Sequence, residues 1–185
     1  TGSTIICERQ AGRIWIDPFV PHHIQPNSYD FTLGHTLLRY TNETLDVAKE
    51  NTVETISIDH MGFVLQPDRL YLGHTVEKMG SSHYVPIIRG RSSIARLGLF
   101  IHVTADIIDI GSHNQWTLQL HAVQPLRVYP GMRIGQVTFW TVQGEIVPYT
   151  GKYQGSIGPT PSLSHHDFRS ETDNDPKRSI DSLRD

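Results

Sequence analysis

Two arginines and two serines stand close together in the stretch Gly90-Arg91-Ser92-Ser93-Ile94-Ala95-Arg96-Leu97-Gly98. The two guanidinium groups offer together about ten N–H donors in rigid forks, a geometry that matches phosphate or carboxylate oxygens. Ser92 has the residue type of a helix N-cap, and open N–H groups in a first helical turn attract anions. A capped turn with solvated arginines would account for one Arg and one Ser. The whole set, held between the apolar runs 84–88 and 99–103, points to an anion or nucleotide site.

A second group follows. Asp109 precedes Gly111-Ser112-His113-Asn114, read as a hairpin turn, and Gln119 lies on the strand after it. That strand alternates: Trp116, Leu118 and Leu120 take one face, Thr117, Gln119 and His121 the other. Asp109 and Gln119 therefore flank the hairpin and can face one cleft. A carboxylate can take a proton from water; an amide can orient water but cannot accept a proton near neutral pH.

The elements that must position these residues read as mostly β. Strand patterns occur at 13–16, 36–40, 54–58, 62–66, 70–75, 84–88, 99–103, 116–123 and 137–140, with turn signals about every ten residues. That rhythm predicts a sandwich or barrel of short strands. Residues 5–12 can form a short helix, and Asp30, after Gln25-Pro26-Asn27-Ser28, reads as a turn residue. From Tyr149 the chain turns glycine-rich, which fits either a flexible tail or a lid over an anionic ligand. Residues 163–185 are polar and aperiodic and read as a tail, leaving 1–162 as the folded unit.

Composition narrows the function classes. With 185 residues, 37% hydrophobic content and a net charge of −3, the chain suits one soluble domain without general affinity for nucleic acid. A single cysteine excludes an intrachain disulfide and any cysteine-rich zinc site, and the adjacent pairs His22-His23 and His165-His166 do not read as metal ligands. No apolar run approaches the ~18 residues of a membrane span and no secretory signal is read, so the expected compartment is the cytoplasm. Walker and Rossmann fingerprints are absent.

Several ordered segments resemble the dCTP deaminase family of the dUTPase superfamily. They are Gly12 to Phe19, Ile24 to Gly34, Gly90 to Leu99, His102 to Ala105 with Ile108-Asp109, Pro130 to Gln136, and Tyr149 with Lys152-Tyr153-Gln154-Gly155. The resemblance implies a distorted β-barrel, or β-clip, with a few short helices. It further implies a homotrimer with sites between subunits and a pyrimidine deoxynucleotide substrate carrying Mg²⁺ on its phosphates, with no zinc. By resemblance Ser92 and Arg96 hold the triphosphate and the catalytic water, with Arg91, Ser93 and Gln136 in the nucleotide-binding set. The Ala105 carbonyl orients the pyrimidine, and Tyr149 and Lys152 hold base and phosphates as the tail closes.

In the deaminases a glutamate on the strand after the hairpin moves the protons, and here Gln119 stands in its place. Ser156 stands where a phosphate-binding glutamine is common. Three readings follow: a dCTP deaminase-like hydrolase in which His121 or His113 supplies the proton transfer, a dUTPase-type diphosphatase with Asp109 as base, or a non-catalytic nucleotide-binding homologue.

Overall fold

Short β-rich segments interrupted by glycine and proline turns fold into three sheets around one core. The computed structural model describes residues 1–102 and 104–173, with side chains to residue 168. In chain order the elements are α1 (Gly2–Gln10), β1 (Ile14–Asp17), β2 (Tyr29–Thr32), β3 (Thr36–Tyr40), β4 (Val53–Ser57), β5 (Phe63–Leu65), β6 (Tyr71–Ser81) and β7 (Val85–Gly90). Then come α2 (Ser92–Ala95), β8 (Leu99–Phe100), β9 (His113–Ala122), β10 (Leu126–Val128), β11 (Arg133–Trp140) and α3 (Ser164–Asp173).

The largest sheet runs β4-β3-β6-β9-β8, with β1 also paired to β6; β2-β11-β7 and β10-β5 form the other two. Among the described residues the ladders do not close into one ring, so the distorted barrel is three sheets wrapped around shared side chains. Every pairing between named strands is antiparallel. Tyr29, Phe31, Leu37, Tyr71, Met79, Ile88, Leu118, Leu120 and Ile134 are fully enclosed. Burying a side chain of this size contributes roughly 1.5–3 kcal/mol, which is why alternation decides strand facing. On β9 it holds from end to end: Trp116, Leu118 and Leu120 are core, and Gln115, Thr117 and Gln119 point the other way, half-buried.

Glu77 is buried at the irregularity of β6 between His74 and Lys78 and accepts hydrogen bonds from the Thr32 N–H (2.9 Å) and Thr32 hydroxyl (3.1 Å). It ties β6 to β2 across two sheets. Burial raises its pKa above the usual carboxylate range, the Thr32 bonds pulling the other way.

The expected strands are present with shifted ends. The run read as 70–75 continues to Ser81, and the 99–103 strand is paired only over Leu99–Phe100; Val103 lies outside the described residues. The hairpin turn falls at 109–112, closed by Ser112 N–H on the Asp109 carbonyl (3.1 Å), and β9 already begins at His113. Gly111 makes this turn at φ +89°, and a Cβ there would meet Pro148 at 2.8 Å, so both turn and tail require glycine. Residues 164–173 form α3 rather than tail; 174–185 lie outside the described residues. No described helix is long and apolar enough to cross a membrane.

Candidate active site

Nine of the ten residues singled out in the sequence divide between two concavities. Arg91, Ser92, Ser93, Arg96 and Gln136 line a groove of about 430 Å³ together with Ser28. Gln136 reaches it from β11, where it pairs with Asp30 of β2 on one side and Arg89 of β7 on the other. Gln136 is locked there, its amide donating to the Gly90 carbonyl (3.3 Å) and accepting from the Ser28 hydroxyl (2.9 Å).

Ser92 is not the cap expected of it. Arg91, at φ −71° and ψ 140°, occupies the N-cap, and no side chain caps the four-residue turn. Arg91 itself is held by Asp30, which is a strand residue of β2 and not part of a turn. The Asp30 carboxylate, 2% exposed, takes Arg91 Nε at 3.0 Å and Arg133 Nη1 at 3.4 Å on the same oxygen. Such a pair fixes the direction of a guanidinium fork. Ser93 and Arg96 are exposed, and among the described residues no ion pair holds Arg96. The groove is thus rich in donors, with its one carboxylate already engaged.

Ala105, Asp109, Gln119 and Tyr149 line the second space, a cavity of about 560 Å³, a size usual for ligand pockets. The wall beside Gln119 is drier than its own strand face suggests. Its register partner on β6 is Leu72, itself paired to Leu38 of β3, and Leu70 and Tyr40 complete that side. The cavity also takes in His102, to which the sequence attached no role although it stands in the quoted His102 to Ala105 segment. Burial holds the His102 pKa below the usual imidazole range, with the Ala105 and Ile101 backbone opposing the shift in part.

The two histidines offered as substitute bases go elsewhere. His113 packs on Trp15 (ring centroids 4.9 Å apart) and His121 on Phe100 (6.3 Å), and neither lines the cavity. Each continues the polar face of β9 in sequence, but aromatic neighbours on β1 and β8 capture it.

The glycine-rich tail is an ordered strap. Tyr149 N–H bonds the Ile110 carbonyl (2.7 Å), and Gln154 donates to the Gly111 carbonyl (2.8 Å) while accepting from His113 N–H (3.1 Å). Beyond it the strap's N–H groups are taken in turn by Asn114 Oδ1 (Gly155, 2.5 Å), Gln115 Oε1 (Gly158, 2.7 Å), Thr117 Oγ1 (Thr160, 3.0 Å) and Tyr40 OH (Ser162, 2.8 Å). Polar side chains of β9 thus act as a ladder for backbone that forms no strand. Ser156 turns its hydroxyl to the Tyr153 carbonyl (2.7 Å). Lys152 lines neither space; its ammonium is paired with Asp167 of α3. Among the described residues no group of three or more His, Cys, Asp or Glu side chains could hold a metal ion.

The chain is similar to known proteins along most of its length. A family model described as dCTP deaminase-like matches residues 1–142. The dCTP deaminase, dUMP-forming, of Hathewaya histolytica is 46% identical over 156 residues, covering 84% of this chain and 91% of that one. The protein of the same name in Cytophaga hutchinsonii is 44% identical over 164 residues, or 88% and 95% of the two chains. The crystal structure of 2'-deoxycytidine 5'-triphosphate deaminase from Agrobacterium tumefaciens shares the fold, with a TM-score of 0.59 at 18% identity over 75% of this chain. The present chain spans 46% of that protein's length. With a family model over most of the chain and relatives matched along nearly their whole length, the chain belongs to the dCTP deaminase-like family.

Proposed function

We propose that the chain is a hydrolase of the dCTP deaminase type, which binds a pyrimidine deoxynucleotide and replaces the C4 amino group of cytosine with oxygen from water. The observation that carries this reading is the division of the motif residues into a donor-rich groove and a strap-covered cavity. Arg91, Arg96, Ser92 and Ser93 suit phosphate oxygens. The cavity, with leucine on one wall and the amide of Gln119 on another, suits a flat polar ring.

Among the described residues groove and cavity share no lining residue, so one nucleotide reaches both when the groove of one copy faces the cavity of another. A homotrimer, as the family resemblance implies, supplies that arrangement. Light scattering at micromolar concentration should give three times the chain mass; a monomer would count against the shared site. Magnesium fits as an ion carried on the nucleotide's phosphates, since Asp30, the one groove carboxylate, is already paired with two arginines. There it would neutralise phosphate charge while keeping most of its waters. The proposal includes a cytoplasmic location and no nucleic-acid or membrane partner.

A second hydrolytic step is favoured by one observation: the exposed Asp109 lines the same cavity as Gln119. Forming dUMP from dCTP, as the names of the relatives state, removes two phosphates as well as the amino group. Asp109 can activate the water for that cleavage. Incubation with dCTP and with dUTP, following ammonia and pyrophosphate separately, tests both steps. Ammonia from dCTP supports the reading. Pyrophosphate alone would replace it with the diphosphatase, and neither product would leave a nucleotide-binding homologue.

A further inference from the structure

Gln119 leaves deamination without a proton acceptor where the resemblance puts one. We propose that His102 takes over that task, accepting the proton of the hydrolytic water and passing it to the cytosine ring and the departing amine. This rests on the deaminase reading above.

Geometry points to His102 in three ways. The Gln119 N–H donates to the Ile101 carbonyl at 2.9 Å, so the residue that follows, His102, is held beside Gln119. Both line the same cavity, and among the described residues no other imidazole does. His102 Nδ1 is shut off from solvent, so a proton from a cavity water has to arrive at Nε2.

The other titratable groups facing the cavity are committed elsewhere. The Asp46 carboxylate accepts from Ala48 N–H (2.9 Å) and is paired with Lys49 (3.2 Å). The Tyr40, Tyr149 and Tyr153 hydroxyls accept from the N–H groups of Ser162, Tyr153 and Leu163 in the strap. Asp109 is exposed, and the reading above gives it the phosphate step. Burial, meanwhile, keeps the His102 ring neutral at neutral pH, so a lone pair is available.

The step balances on one imidazole used twice. Water oxygen bonds to C4 while the C4=N3 pair moves onto N3. His102 takes the water proton and delivers it to N3, leaving a tetrahedral carbon that bears OH and NH₂. His102 then carries the hydroxyl proton to the amine, the C4–N bond breaks, ammonia departs and C4=O forms. The imidazole ends neutral. Gln119 contributes its amide, which can hold the water or the ring edge but moves no proton.

The test compares four full-length proteins, wild type, His102→Asn, Gln119→Glu and the double variant, on dCTP with Mg²⁺, following ammonia and binding by tryptophan fluorescence. His102→Gln is carried as a second substitution should the Asn variant not fold. The expected result is ammonia from the wild type, a loss of roughly 10²-fold or more in His102→Asn with dCTP affinity kept within about threefold, and recovery in the double variant. The wild-type rate should rise with pH through the titration of a depressed imidazole, a limb missing from the double variant. An unchanged ammonia rate in both His102 variants overturns the proposal and leaves the deaminase reading standing. A silent wild type that Gln119→Glu awakens overturns both the proposal and the deaminase reading of the natural chain. Binding lost in step with rate would make His102 structural. Ammonia from none of the four brings down the deaminase reading itself.

Discussion

Replacing Asp30 by Asn tests how the groove is built. The Asp30 side chain is 2% exposed and one of its oxygens serves two cations, Arg91 at 3.0 Å and Arg133 at 3.4 Å. Removing one member of a fully buried ion pair costs about 3–5 kcal/mol, because the other charge is left without compensation. Here the arginines keep contact with water, their side chains being 26% and 40% exposed, so the orphaned charges can resolvate. The expected loss is therefore about 1–3 kcal/mol of folding stability. Asn preserves the volume, so packing contributes little to the change. A second effect falls on function: Arg91 loses the contact that aims it into the groove, and triphosphate affinity should fall roughly tenfold, about 1.4 kcal/mol. Urea unfolding and fluorescence titration with dCTP read the two quantities. A cycle with Arg91→Ala should show a coupling of about 1–2 kcal/mol. Wild-type stability in Asp30→Asn, with additivity in the cycle, would refute the claim that Asp30 organises the groove.

Three further outcomes are expected. Arg96→Ala should leave stability within about 0.5 kcal/mol of wild type, since the side chain is exposed, yet cost ~1.5–3 kcal/mol of triphosphate binding; unchanged affinity would make the stretch structural only. Glu77, its folded pKa raised by burial above the ordinary 4.5, binds more protons folded than unfolded in that window, so its contribution is full below pH 4.5 and is lost as pH rises through the raised value. Glu77→Gln keeps an acceptor for Thr32 and should flatten that part of the melting-temperature profile; an identical profile would mean Glu77 does not titrate there. His23, His74, His102 and His113 are all held below the ordinary 6.5, chiefly by burial, so their contribution is present above pH 6.5 and fades as pH falls through the depressed values. Melting temperatures that stay level from pH 7 to about 5 would contradict this.

Much of this architecture is legible in local patterns, and what is not has a common cause. The alternation of β9 predicts its core face residue by residue, because burial energy acts on each side chain separately. The clustering of Arg91, Ser92, Ser93, Arg96 and Gln136 follows from short-range chain direction plus one ladder, β7 with β11. Asp30 misleads because turn-forming residues precede it, whereas its partners lie 61 and 103 positions away on Arg91 and Arg133. His113 and His121 mislead for the same reason: a strand face says where a side chain points, not which aromatic ring meets it there. The strap is the clearest case. Its backbone N–H groups are satisfied by Asn114, Gln115, Thr117 and Tyr40, which no local reading of a glycine-rich segment reveals. His102 escapes notice because its meaning depends on its place beside Gln119.

The most direct test of the central claim is hydrolysis of dCTP in ¹⁸O-labelled water, with mass spectrometry of the nucleotide product. The proposed chemistry places one ¹⁸O on the C4 position of a uracil base, and cleavage assisted by Asp109 places a further label on phosphorus. A cytosine base recovered unlabelled, with ¹⁸O on phosphate alone or nowhere, would contradict deamination by this chain.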